Sequence, residues 1–249
     1  MAVPLLEVRN VSKRFGGVVA NKDVSFGVAP GELVGVIGPN GAGKSTLFDV
    51  LTGFARPDAG SVMLDGEDVT GWRPDEISRR GVGRTFQKLK PFSQMTVAEN
   101  VMVGAFQNTA DPGKARRRAL ECLDSVGLAD RAQAHARVLS TGQRKRLEMA
   151  RALAARPRLL LLDEVTGGVD QGSIPALVEL VRALNREGVA LVVIEHNMRV
   201  IMGISQRVVA LHLGEVICDG PPERVMNDQR VIEAYLGQAY ARPLDRPQR

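Results

Sequence analysis

Apolar positions divide this chain into three regions of different period. Residues 5–11 alternate apolar and polar side chains, as a half-buried strand does. A short apolar run at 34–37 leads into a glycine-rich turn, and then a helical period from 45 to 51 ends at Gly53. Residues 61–64 and 82–86 have strand character, the first closing on an Asp65-Gly66 turn.

From about 88 to 156 the pattern is mostly helical. Thr96 and Glu99 have the spacing of a capping box that opens a helix at Val97. Pro112-Gly113 is expected to break that helix. The period resumes over 114–126 with Gly127 as its C-terminal stop. Ser140 and Thr141 start a third helix, which Pro157 ends.

Strand and helix then alternate again. Residues 159–162 form a continuous apolar run that suits a strand buried on both faces. A helix is predicted over 173–187, closed by Gly188, and a second buried strand over 190–194. Residues 208–213 and 216–218 flank Gly214-Glu215 as a hairpin. No internal repeat is visible. The pattern predicts an α/β core interrupted by a helical subdomain. The expected boundaries are a core of 1–87 and 157–220, a helical insert of 88–156, a C-terminal helical extension of 221–237 and a disordered tail of 238–249.

Composition changes this picture little. With 249 residues, 44% hydrophobic and 24% charged, the chain is an ordinary globular protein, but only 4% is aromatic, so Leu, Val, Ile and Ala must make the core. The formal charge of +5 is mild and gives no reason to expect nucleic acid as a partner. Cys122 and Cys218 are far apart and fit no metal spacing, which points to two reduced thiols. The first residues lack the apolar core of a signal peptide. The longest apolar runs are too short to cross a bilayer, so a soluble protein is expected, and any membrane span must come from another chain.

The strongest chemical signal is GPNGAGKST, comprising Gly38, Pro39, Asn40, Gly41, Ala42, Gly43, Lys44, Ser45 and Thr46. It follows a predicted strand and precedes a helix, the context of a phosphate-binding loop. Its glycines let backbone N–H groups turn inward onto phosphates, and the helix N-terminus adds positive potential. Lys44 can neutralise the β- and γ-phosphates, and the Ser45 hydroxyl can ligate Mg²⁺. A GTPase would need Asn-Lys-x-Asp for guanine. The nearest string, Asn21-Lys22-Asp23-Val24, lacks the final Asp and precedes the loop. An apolar strand ending in Asp163-Glu164 shows two carboxylates at the sheet edge where ligands bind in such folds. Asp163 is suited to hold Mg²⁺ through water, and Glu164 to orient and deprotonate the attacking water.

Leu139-Ser140-Thr141-Gly142-Gln143 lies ahead of that acid pair and resembles the LSGGQ signature of ABC ATPases. Gln87 in GRTFQ resembles the family's Q-loop glutamine, His196 after ALVVIE its switch histidine, Phe15 its adenine-stacking aromatic, and Asp170 its D-loop aspartate. The resemblance covers 5–237. It implies a P-loop NTPase core of ABC-cassette type, α/β, with an inserted helical subdomain and an N-terminal antiparallel β part. It also implies an ATPase that binds ATP and Mg²⁺. On this reading Lys44, Gln87, Glu164 and His196 act in hydrolysis, Ser45, Gln87 and Asp163 hold the metal, and Ser140, Gly142 and Gln143 close over the γ-phosphate bound by a second cassette. Strings such as KRFGGVVANKDVSF, MTVAENVMVGA, IEHNMRVIMGISQRVV and VIEAYLG are closest to cassettes of branched-chain amino acid uptake. The implied partners are integral-membrane permease subunits docking near 87–95, a second cassette and a solute-binding protein, with this chain on the cytoplasmic face of the cell membrane. Other readings are a cassette for urea, amides or lipopolysaccharide, a soluble non-transport ABC ATPase, and a regulatory module with little hydrolysis. The chain departs from the family pattern at Thr141, at Val165 where Pro is usual, and at 166–169 leading to Asp170.

Overall fold

The computed structural model describes residues 4–87 and 91–236. The expected tail at 238–249 and residues 88–90 of the expected docking segment lie outside them. In chain order the elements are β1 (Leu6–Phe15), β2 (Val18–Val28), β3 (Leu33–Ile37), α1 (Lys44–Leu51), β4 (Ala59–Leu64), β5 (Glu67–Asp68), α2 (Pro74–Arg79) and β6 (Val82–Arg84). The helices α3 (Val97–Ala105), α4 (Pro112–Ser125) and α5 (Thr141–Ala154) follow. The chain then alternates through β7 (Leu159–Asp163), α6 (Ile174–Arg186), β8 (Ala190–Ile194), α7 (Met198–Ile204) and β9 (Arg207–His212). It ends with β10 (Glu215–Gly220), α8 (Pro222–Met226) and α9 (Gln229–Leu236).

Two sheets organise the described residues. One is antiparallel, in the order β2-β1-β4-β5. The other has the order β10-β9-β3-β8-β7-β6, parallel except for the β9–β10 hairpin. Every residue of β3, β7 and β8 is buried, as continuous apolar strands covered on both faces must be. Side chains alternate across a strand, so these runs feed two cores. Val34, Val36, Leu159, Leu161, Ala190 and Val192 face the cluster shared with the antiparallel sheet and α1. Leu160, Leu162, Leu191 and Val193 face the other, which continues into α3, α4 and α5. The inserted helices therefore have no core of their own; they extend that of the sheet.

Several local expectations need correction. The whole of β2 is absent from the sequence reading, because Asn21-Lys22-Asp23 interrupts its apolar alternation. Asn21 is nonetheless fully buried. Pro112-Gly113 does not break α3, which has already ended at Ala105. Instead Pro112 is the first residue of α4, where its missing N–H costs nothing, and Asp111 caps the helix by accepting from Gly113 N and Lys114 N. The hairpin turn is Leu213-Gly214, not Gly214-Glu215; both residues have positive φ, 49° and 85°, as a two-residue hairpin turn of primed type demands. β6 stops at Arg84, two residues short of the predicted end. The Thr96/Glu99 capping box and the Gly127 stop are as expected. Cys122 and Cys218 are free and buried.

Candidate functional site

The site forms where β3, β7 and β8 end side by side. After Ile37 the chain leaves the sheet into residues 38–43 and enters α1 at Lys44. Gly43 is left-handed (φ 97°), and a Cβ there would lie 2.1 Å from the Ala20 carbonyl oxygen, so only glycine fits. Buried Asn21 braces this point from β2, its Nδ2 donating to the Gly43 carbonyl (3.2 Å). Lys44 lies under the loop, and its Nζ donates to the carbonyls of Gly38 (2.7 Å) and Pro39 (3.0 Å). Burial pulls the Lys44 pKa below its ordinary value, against the opposing pull of Glu164 and Asp163.

The pairing of β7 with β8 puts Asp163 opposite Ile194, one residue before Glu195 and two before His196. Asp163 is 4% exposed, and burial raises its carboxyl above the usual value; the nearby Arg84 acts the other way. Its backbone N–H donates to Thr85 Oγ1 (3.1 Å), which fixes the chain just before Gln87. Glu164 stands at the junction. Its Oε1 accepts from Gln87 Nε2 (2.8 Å) and lies 2.8 Å from His196 Nε2. The backbone of Glu164 is left-handed (φ 50°), uncommon for a residue with a Cβ. Bonds on both sides hold that conformation: its N–H donates to Ile194 O (2.9 Å), and its carbonyl accepts from Lys145 Nζ (2.6 Å) on α5.

A cleft of ≈ 330 Å³ is lined by residues 40–46 together with Gln87, Glu164 and His196. A neighbouring groove of ≈ 710 Å³ shares Ser45 and Gln87 and adds Asp163. Six of the predicted residues, Lys44, Ser45, Gln87, Asp163, Glu164 and His196, are thus brought together from the start of α1 and the ends of β6, β7 and β8. Phe15 stands at the tip of the β1–β2 hairpin, 52% exposed, with Lys13 Nζ 5.2 Å from its ring centre. It does not line the cleft, but its pairing partner Val18 does.

The signature residues are not part of this cleft. Ser140 caps α5, its Oγ accepting from Gln143 N (3.3 Å) while its N–H donates to Gln143 Oε1 (3.0 Å). Gly142 faces Val169 and Ser173, and Thr141 faces Gly168. The helix start is packed on the loop after Glu164, with its first turn exposed around Ser140 and Thr141.

An Mg²⁺–nucleotide fits this donor set. Among the described residues no group of three His, Cys, Asp or Glu side chains could hold a metal ion. One buried carboxylate, one hydroxyl and one amide oxygen are too few for a protein-only cage. They suit a hard cation that takes its remaining ligands from phosphate and water.

Sequence reasoning missed three supports. Glu195, 2% exposed, accepts from Thr166 N (2.7 Å) and Thr166 Oγ1 (2.9 Å), tying the turn after Glu164 to the strand end before His196. Arg84 bonds Asp49 (2.7 Å) and Thr52 (2.9 Å) and sits among the rings of Phe48, Phe54 and Phe86. Lys145, 5% exposed, links α5 to Glu164. An acid directly before His196, at the end of an apolar strand, is the one local hint of the first. The other two depend on contacts across the chain.

Comparison with known proteins shows the family and the fold. The sequence model of the ABC transporter family matches residues 21–167, and that of the branched-chain amino acid ATP-binding cassette transporter matches 215–241. The chain is 39% identical to the high-affinity branched-chain amino acid transport ATP-binding protein BraF of Pseudomonas aeruginosa and 38% identical to LivG of Escherichia coli. Each alignment covers 96% of this chain and all of the relative. It is 35% identical to the lipopolysaccharide export system ATP-binding protein LptB of Haemophilus influenzae, over 95% of this chain and 98% of the relative. The ADP conformation of an ATP-binding cassette of an ABC transporter superposes with TM-score 0.86 at 31% identity, covering 95% of this chain and 100% of that one. With the family model and the relatives in agreement, the chain belongs to the ABC transporter family and is one of its ATP-binding, ATP-hydrolysing cassettes.

Proposed function

We propose that this cassette powers uptake of branched-chain or related amino acids through a separate integral-membrane permease, at the cytoplasmic face of the membrane. Its expected companions are a second cassette, identical or paralogous, and a solute-binding protein that delivers the cargo. Identity to BraF and LivG supports the cargo, as does the family match at 215–241. The observation that carries the catalytic part is Glu164 Oε1, bonded by both Gln87 and His196 beside the phosphate loop.

In this reading the N–H groups of 38–46 and Lys44 hold the phosphates, and Phe15 stacks on adenine. Ser45, Asp163 and Gln87 supply oxygens to Mg²⁺, which when bound offsets charge on the phosphates. Glu164 takes the proton from the attacking water, and Gln87 and His196 aim its carboxylate. His196 also reports the γ-phosphate. Ser140, Gly142 and Gln143 of a second copy close over that phosphate, presenting a helix N-terminus to an anion. Loss of the γ-phosphate removes those contacts, and the pair opens. The segment 88–156 carries the motion to the permease. Support for that route comes from the ≈ 710 Å³ groove, whose exposed Phe54, Phe86, Phe92 and Val103 adjoin Ser45, Gln87 and Asp163. One cavity thus offers an apolar dock and touches the metal ligands.

The test is purification with the native membrane partners, reconstitution in vesicles and measurement of ATP-driven leucine uptake. Uptake lost in Lys44→Ala supports the reading. Purified complexes that hydrolyse ATP yet move no branched-chain amino acid would remove the cargo assignment. A lipopolysaccharide-type permease in the same complex would select the LptB-like alternative, which 35% identity keeps open.

A further inference from the structure

We propose that Tyr235, on the C-terminal helix α9, is a positioning residue for nucleotide binding that holds the first residue of the phosphate loop. Its phenol oxygen accepts a hydrogen bond from Gly38 N at 2.6 Å, across 197 residues of sequence. The inference rests on the reading of 38–46 as the phosphate loop.

Gly38 is where β3 leaves the sheet. The last β3–β9 pair is Ile37 with Ala210. At Gly38 the chain turns away with φ 154°, and a Cβ would lie 2.3 Å from the Leu211 carbonyl oxygen. Only glycine allows this approach. It leaves a part-buried N–H without a strand partner, a group that needs an acceptor. Tyr235 provides one. On the other side of the residue, the Gly38 carbonyl accepts from Lys44 Nζ (2.7 Å). Gly38 is thus held at both ends, by α9 through its N–H and by Lys44 through its C=O.

The local sequence sets Tyr235 in place. Val231 is 3% exposed and anchors α9, and Tyr235 lies one turn later on the same helix face. The start of the helix is fixed by Asp228, whose carbonyl accepts from Val231 N and Ile232 N (3.0 Å each). Tyr235 is 38% exposed, but desolvation at its phenol raises the pKa above its ordinary value, and the oxygen faces Gly38 N as an acceptor.

The two bonds differ in what nucleotide does to them. For Lys44 to reach the β- and γ-phosphates it must release the carbonyls of Gly38 and Pro39. Gly38 then keeps its bond to Tyr235. The phenol therefore acts when phosphate is bound, and equally for ATP and ADP, because it touches neither the γ-phosphate nor the attacking water. An interaction of this kind changes affinity and not turnover.

Tyr235→Phe removes the oxygen and keeps the ring. In the full-length chain, the Kd for ATP and for ADP should both rise about tenfold, consistent with one unpaired N–H. Turnover at saturating Mg-ATP should stay within about twofold. Amide hydrogen exchange should quicken in the loop segment only. An unchanged Kd overturns the proposal. So does a fall in kcat accompanied by faster exchange throughout the chain, which would mark a general structural role. A wild-type chain that bound no nucleotide would bring down the loop assignment and this inference together. Equal affinity in wild type and variant brings down this inference alone.

Discussion

Glu164 carries an uncommon backbone (φ 50°) and two hydrogen bonds to one carboxylate oxygen. Residues held in such sparsely populated regions cost on the order of 1–3 kcal/mol and need surroundings that enforce them. Here the enforcement comes from Ile194, Lys145, Gln87 and His196. Glu164→Gln keeps size and backbone but cannot take a proton from water. We expect kcat to fall by about 10²–10⁴-fold while the ATP Kd moves less than about twofold, measured by steady-state hydrolysis and nucleotide titration. Rapid turnover by that variant would remove Glu164 from the role of base. Asp163 gives a pH prediction. Its folded-state pKa is raised, first by burial, so it takes up a proton at higher pH than an unfolded aspartate. The sign follows: its ionised form weakens the fold at pH above that raised value, and acidification through it relieves the penalty. A protonated Asp163 cannot serve a cation. Apparent Mg²⁺ affinity should therefore drop on acidification at a pH above the ordinary aspartate value of about 3.9. Asp163→Asn should weaken Mg²⁺ binding and flatten that dependence. An unaltered profile in the variant would show that another group titrates.

The turn from β7 into α6 shows how elements make up for missing local signals. With Val165 in place of the usual Pro, the backbone lacks a fixed φ at that point. Two contacts replace it: Val165 is 5% exposed in the core, and Thr166 donates twice to buried Glu195. Thr166→Val removes one donor to a buried carboxylate. The expected loss is about 1–3 kcal/mol, read as roughly 2–4 °C in Tm for each kcal/mol, with kcat falling more than ATP affinity because Glu164 and His196 both lean on this pair. An unchanged Tm would mean the carboxylate finds another donor. The same region shows what a sequence can reveal. The phosphate loop, Asp163-Glu164 and the Ser140 cap are legible because each is a contiguous string whose chemistry lies in its own spacing. β2 is not, since three polar residues break its alternation and its burial comes from pairing with β1. Nor are Thr166–Glu195, Lys145–Glu164 or Tyr235–Gly38, because only the folded sheet brings 29, 19 and 197 residues of separation to zero. Pro112 misleads for a related reason: proline stops a helix from inside and starts one from its first turn, and the position of Asp111 decides which.

At the scale of the whole molecule, the proposed function requires two halves of a site that do not meet within one cassette. The phosphate loop and Glu164 line one cleft, whereas the exposed start of α5 lies outside it, its Ser140 and Gln143 bonded to each other. A helix N-terminus that is only self-capped retains unpaired N–H groups and positive potential for an incoming anion. Two copies set head to tail would each offer α5 to the other's phosphates, and the pairing would depend on the γ-phosphate as the shared charge. The chain should therefore be monomeric without nucleotide. Glu164→Gln, which keeps ATP intact, should run as a dimer with Mg-ATP and as a monomer with ADP, read by light scattering. Gly142→Trp should abolish the ATP-induced dimer while leaving the first-site ATP Kd within about twofold, because Gly142 does not line the chain's own cleft; Gly142 is buried against Val169 and Ser173, so the Tm of the variant is read beside the Kd to show that the fold is kept. If Gly142→Trp still dimerised with ATP, the α5 start could not be the surface that closes over the partner's phosphate. If instead it lost ATP binding as a monomer, α5 would have to act on its own loop, through Lys145 and Glu164, and the two halves of the site would already be coupled within one chain.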